Sequence, residues 1–192
     1  MNPANITNRS SRTVFPSLEF VAKKTATNQS TPKLPLSGAL VGKMLPKTQQ
    51  FYNEKLRSKY GDAKGATVDN LVEMERKLDL KLPLSLKAYL LWGGNHSDGP
   101  LIGTDCFASD ILGNTEYFRE FLDENSITNP RGDDVIVFYF HQGYVLAWIY
   151  ASDGDNPEVY YFAEGTTQAI AKETTIDEWF YKDLSGLHGG SY

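Results

Sequence analysis

Residues 134–151, DVIVFYFHQGYVLAWIYA, decide the fold. Two runs of aromatic and branched residues flank His141-Gln142-Gly143, with hardly a charge in either run. Such runs favour strands, and a three-residue interruption with glycine at its end suits a hairpin with Gly143 in the left-handed region. His141 as a catalytic base would need a carboxylate or nucleophile beside it, and the sequence points to none. The histidine reads as the marker of a loop. After the polar turn SDGDNPE (152–158), the segment EVYYFA (158–163) continues the pattern as a third antiparallel strand.

Upstream the period changes from two to near 3.6. QQFYNEKLRSKY (49–60) suggests an amphipathic helix ending before Gly61. Thr67 can cap a second helix, with Asp69 near its positive end. Along VDNLVEMERKLDL, Val68, Leu71, Val72, Met74 and Leu78 fall on one broad face. In KLPLSLKAYLLWGG (81–94), Pro83 suits the first turn of a short helix that Gly93-Gly94 ends. A fourth helix is expected from Asn114 to about Glu124, with Tyr117, Phe118, Phe121 and Leu122 as its apolar face. A last one, TIDEWFYKDL (175–184), has Thr174 or Thr175 as cap and two acids in its first turn. Helices first and strands later indicate an α+β domain.

The first 47 residues hold no sustained period. They are rich in Ser, Thr, Asn, Pro and Lys, with seven basic residues against Glu19 up to residue 50. They read as a flexible or loosely docked arm, with the folded unit over 48–192. The second half is the opposite. Residues 92–192 hold four basic and 17 acidic residues, a charge of −13 inside an overall −5. Such a surface repels phosphate backbones and attracts basic proteins. The sequence lacks an apolar run long enough to span a bilayer and the apolar core of a secretory signal. With Cys106 as its single cysteine it has no internal disulfide, and a cytoplasmic setting is expected.

Other chemical candidates read as structural. Cys106 in LIGTDCFAS lacks a hydrolase signature and reads as a buried or half-buried thiol. His96, His141 and His188 lack metal-pair spacing, and SDGDNPE lacks the ligand pattern of a calcium loop, so neither metal nor cofactor is expected. Glu75 is different. It interrupts the apolar stripe of the second helix, where a carboxylate must be hydrogen-bonded or protonated. The start of the Pro83 helix, with its free amides and Ser85, is the expected receiver.

Taken in order, these segments resemble the SUKH superfamily, which includes the yeast cell-wall synthesis regulator and many bacterial toxin-immunity proteins. The likeness spans about Thr48 to Leu184 and rests on Glu75, Leu82, Pro83, Tyr89, Leu90, Gly93 and His141-Gln142-Gly143-Tyr144. DNPEVYY resembles the family's strand after its acidic turn, with Asn156 where an acid or proline is often found. The resemblance implies a single α+β domain, helices packed around a largely antiparallel mixed sheet, and no catalysis. It implies an immunity protein that binds and neutralises a toxin domain, often a nuclease or deaminase, inside the producing bacterial cell. The alternatives are a regulatory interaction module and, third, a hydrolase using Glu75 or Asp and His residues. The −13 charge points to a basic protein toxin as partner, with no nucleic acid and no membrane. The expected contact residues lie in loops or near the hairpin: Asp98, Asp105, Asp133, Asp134, Tyr144, Asp153, Asp155, Glu158 and Tyr161. Glu75, Pro83, Gly93 and Gly143 are expected to serve the fold. The sequence leaves the oligomeric state open.

Overall fold

The computed structural model describes residues 38–124, 131–164, 171–172 and 175–188. Most of the expected arm, residues 1–37, lies outside them. The hairpin forms as β1 (Val135–His141) and β2 (Val145–Tyr150), followed by β3 (Tyr160–Ala163) and a two-residue β4 (Ala171–Lys172). The sheet order is β1-β2-β3-β4, and all its pairings are antiparallel, so the expected mixed sheet is a plain meander. His141 is paired with Val145 and is the last strand residue; the turn is Gln142-Gly143-Tyr144, one residue later than the sequence suggested. Gln142 and Gly143 both take positive φ, 47° and 83°, which the glycine accepts freely.

Both faces of the sheet are covered. On one side α6 (Ile111–Glu124) packs Phe118, Phe121 and Leu122 against Val135, Val137, Leu146, Trp148 and Phe162. On the other, α5 (Leu84–Gly93) and α7 (Ile176–His188) pack against Ile136, Phe138, Ala147, Ile149 and Val159. Double coverage explains why the strands read as nearly continuous apolar runs rather than alternating ones.

β1 contains a bulge: Val137 pairs with Trp148, but Tyr139 pairs with Ala147, leaving Phe138 as the extra residue. The bulge turns Phe138 and Tyr139 consecutively toward α7, and every later residue of β1 changes face. His141 therefore faces α7 rather than α6.

The folded core begins before Thr48. α1 (Gly38–Met44) and α2 (Pro46–Phe51) precede a π-helical turn (Tyr52–Leu56) and α3 (Arg57–Tyr60). Val41 and Leu45 are buried in the core shared with α5 and α7. Pro46 opens α2, and the free amides behind it are satisfied from far along the chain. Lys47 N and Thr48 N donate to the Asp177 carboxylate at 3.1 and 2.9 Å, and the Thr48 hydroxyl donates to Asp177 O at 2.9 Å. The boundary at residue 48 is thus corrected: the missing clue was a cap supplied from α7.

α4 (Val68–Leu78) starts at Thr67, whose hydroxyl accepts from Asn70 N at 3.2 Å. Its buried stripe is narrower than expected. Leu71 and Met74 are buried and Leu78 packs beside them, but Val68 and Val72 are about half exposed, at 51% and 52%. The chain ahead of α4 runs along the end of α5, with Ala66 N donating to Leu90 O at 2.8 Å. There a side chain on Gly65 would strike Leu91 O at 1.8 Å, so only glycine fits.

Candidate functional site

Glu75 lies in the α4 stripe at 13% side-chain exposure. Its Oε1 accepts from Leu82 N at 2.9 Å and pairs with Lys87 Nζ at 2.8 Å, while Oε2 lies 3.4 Å from Lys81 Nζ. Burial raises its pKa, but the Lys87 and Leu82 hydrogen bonds and the two lysine charges outweigh it, and the net shift is downward. The receiver is the amide just before Pro83 together with Lys87, not Ser85. Ser85 N instead donates to Asp155 O at 2.9 Å, and its buried hydroxyl has no partner among the described residues. Pro83 is the N-cap of α5 and Gly93 its last residue.

The expected contact acids separate into two groups. Asp98 is held by Lys64 Nζ at 2.7 Å, which keeps its carboxyl below the usual range. Arg131 Nη1 donates to Asp153 at 2.8 and 2.9 Å, and its Nη2 to Asp134 at 3.1 Å and to Ser152 Oγ. The same guanidinium sits 4.1 Å from the Tyr150 ring. Asp134 further accepts from Ser152 N at 3.2 Å, so Asp134 and Asp153 clamp the β2–β3 connection. Asp133 and Glu158 are exposed but take part in interactions of their own. Asp105 and Asp155 expose their side chains and use their backbones structurally: Asp105 bridges Phe140 at 2.8 and 3.1 Å, and Asp155 meets α5.

These residues do not form one patch. Asp133, Asp134, Asp153, Asp155 and Glu158 cluster where β1 begins, β2 ends and β3 begins, whereas Tyr144 is at the hairpin tip, the opposite end. Tyr161 is half-buried on β3, 5.5 Å from the Trp179 ring.

A second arrangement involves residues that sequence reasoning missed. A groove of about 360 Å³ runs between the end of the β1–β2 hairpin and α7, lined by Tyr139, His141, Val145, Trp179, Lys182, Asp183 and Leu187. Asp183 Oδ2, His141 Nδ1 and Trp179 Nε1 are shielded from solvent, with no hydrogen-bond partner among the described residues. Burial raises the Asp183 pKa, opposed by the neighbouring Tyr139 hydroxyl and by the imidazoles of His141 and His188. Burial likewise pushes the Tyr139 hydroxyl up, and Asp183 adds to it. Trp179, Asp183 and Leu187 recur every four residues, which places them on one side of α7. That spacing was legible; the bulge that brings His141 opposite was not.

Cys106 is fully buried, 3.2 Å from the Tyr89 hydroxyl and 3.1 Å from Thr104 Oγ1. Burial pushes its thiol up to about 12, although both hydroxyls favour the thiolate. Among the described residues, no three His, Cys, Asp or Glu side chains come together as a metal site, and no helix is long and apolar enough to cross a membrane.

No curated protein matches the chain. Residues 65–182, from the approach to α4 into α7, match the model of the SMI1 / KNR4 family (SUKH-1). That span holds Glu75 with its Leu82 and Lys87 partners, the bulged hairpin and the acidic turn. The chain belongs to the SMI1 / KNR4 family (SUKH-1).

Proposed function

We propose that this protein is a non-enzymatic immunity protein that binds a basic toxin domain and neutralises it in the cytoplasm of the producing bacterial cell. Family membership supports a protein-interaction or immunity role in general. The observation that singles out a basic partner is the charge of −13 over residues 92–192, since opposite charge steers association. Two of the residues weighed for catalysis, Glu75 and Cys106, serve the fold. Glu75 is consumed by the α4–α5 junction and Cys106 is buried as a neutral thiol.

The test is co-expression. Each reading frame adjoining this gene is expressed in a host cell, alone and with this chain. The expected result is that one frame arrests growth, that this chain restores it, and that the two proteins co-purify. If no neighbouring frame is toxic, or toxicity persists beside the folded chain, the immunity reading fails. Co-purification with a kinase or scaffold instead would favour a regulatory module.

A further inference from the structure

We propose that the groove between the β1–β2 hairpin tip and α7 is the partner-docking site, and that its centre receives an arginine side chain. This rests on the reading of the chain as a partner-binding protein and names the surface and chemistry involved.

Leu187 lines the groove, and other exposed apolar side chains lie at the same end of the sheet. Among the described residues Ile102, Tyr144 and Leu187 are three of the most exposed large hydrophobics, at 73%, 52% and 55%. Specific contacts bring all three to this end of the sheet. The Asp105–Phe140 bridge lays the loop around residue 102 beside the end of β1, where Gly103 comes within reach of Gln142. His188 Nε2 lies 2.9 Å from Pro100 O, which brings Leu187 to the same loop. Tyr144 closes the hairpin turn, its carbonyl accepting from Glu164 N at 2.7 Å. Apolar side chains around a polar, shielded centre are how interfaces build a hot spot.

The centre specifies a cation. Asp183 lies in the groove with a buried oxygen and without a lysine or arginine partner among the described residues; Lys182, also in the groove, is engaged in an interaction of its own. The groups that bear on Asp183 are the Tyr139 hydroxyl and the imidazoles of His141 and His188. The walls are aromatic, with the Tyr139 and Trp179 rings 5.4 Å apart and the Tyr161 ring 5.5 Å from Trp179. A guanidinium fits this set better than an ammonium: it stacks on aromatic rings, and its planar fork gives several donors to a carboxylate at once. The Trp179 indole N–H, also without an acceptor among the described residues, is a donor that a carbonyl of the peptide bearing the arginine satisfies. Asp183 Oδ2, His141 Nδ1 and Trp179 Nε1 are closed to solvent in the free protein, so groove side chains must shift for a ligand to supply their partners, and the gain is what these unpaired buried atoms otherwise cost.

The experiment uses the full chain, ¹⁵N-labelled, titrated with N-acetyl-arginine-N-methylamide. Trp179→Phe identifies the Trp179 indole signal. The expected result is a saturable shift of that signal and of the His141 ring, with binding weakened at least tenfold for N-acetyl-lysine-N-methylamide and in Asp183→Asn, and unchanged in Asp155→Asn. Leu187→Ser, lining the groove and half exposed, is a second variant expected to fold and to weaken co-purification of the partner found by co-expression. Absence of a Trp179 shift, or the same shift in folded Asp183→Asn, overturns the proposal. The two readings fail separately. If arginine binds at Trp179 but no toxin is neutralised, the immunity function falls and the surface stands. If a toxin is neutralised while the groove ignores the probe and Leu187→Ser still co-purifies it, the surface proposal falls.

Discussion

Glu75 and Asp183 are carboxylates in opposite thermodynamic positions. The folded pKa of Glu75 is depressed, so its contribution to stability is present above the ordinary glutamate range and lost as pH falls through the lower folded value. Glu75→Ala leaves the Leu82 amide and the mostly buried Lys87 ammonium unpaired, at a cost of about 1–3 kcal/mol in urea unfolding at pH 7. That difference is expected to shrink in acid; one unchanged at low pH would mean the side chain acts by packing alone. Asp183 has a raised folded pKa, so whatever stability its protonated form gives is present below the ordinary aspartate range and lost as pH rises through the folded value. Asp183→Asn is therefore expected to raise Tm at neutral pH, with the gain vanishing toward the ordinary aspartate range. A lower Tm at neutral pH would show the charge to be stabilising. Cys106, buried with its pKa near 12, is expected to resist iodoacetamide in the native protein and to react once urea unfolds it.

At the scale of elements, the N-terminal helices depend on α7. A chain beginning at Ser37 keeps Val41, Leu45 and the amides of Lys47 and Thr48 in place, whereas one beginning at Thr48 loses the first two side chains and the start of α2. Each buried aliphatic side chain is worth roughly 1.5–3 kcal/mol, so the shorter chain is expected to lose on the order of 3–6 kcal/mol in urea unfolding. Equal stability of the two fragments would make α1 dispensable. Asp177→Ala probes the same junction without shortening the chain, because it removes acceptors from two backbone amides. The dependence was invisible along the sequence. Asp177 looked like an acid favouring its own helix, and its partners lie 130 and 129 residues upstream.

For the whole molecule, an acidic count does not amount to an acidic surface. Asp98 is paired with Lys64, and Asp134 and Asp153 share Arg131, so steering falls mainly to exposed acids such as Asp105 and Asp155. With the toxin domain identified by co-expression, the association rate is expected to fall steeply between low and high salt, since the Debye length shrinks to about 8 Å at physiological ionic strength. Asp105→Asn/Asp155→Asn is expected to slow association, while Asp153→Asn lowers stability by about 1 kcal/mol through its partly exposed Arg131 pair. An association rate indifferent to salt and to the double substitution would leave the acidic half without a steering role.

The sequence by itself determined the α+β class, the hairpin, the third strand, the α4 cap at Thr67, the start of α5 and the tie at Glu75. These features are local, set by side-chain period, turn residues and one carboxylate misplaced in an apolar stripe. Tertiary structure decided the rest. Whether Val68 and Val72 are buried depends on how wide a neighbour covers α4, and where the core begins depends on a cap given by Asp177. Which face His141 presents depends on one extra residue, Phe138, because a bulge in a strand reverses every side chain after it. That single slip carries His141 across the sheet to Asp183 on α7 and so creates the groove.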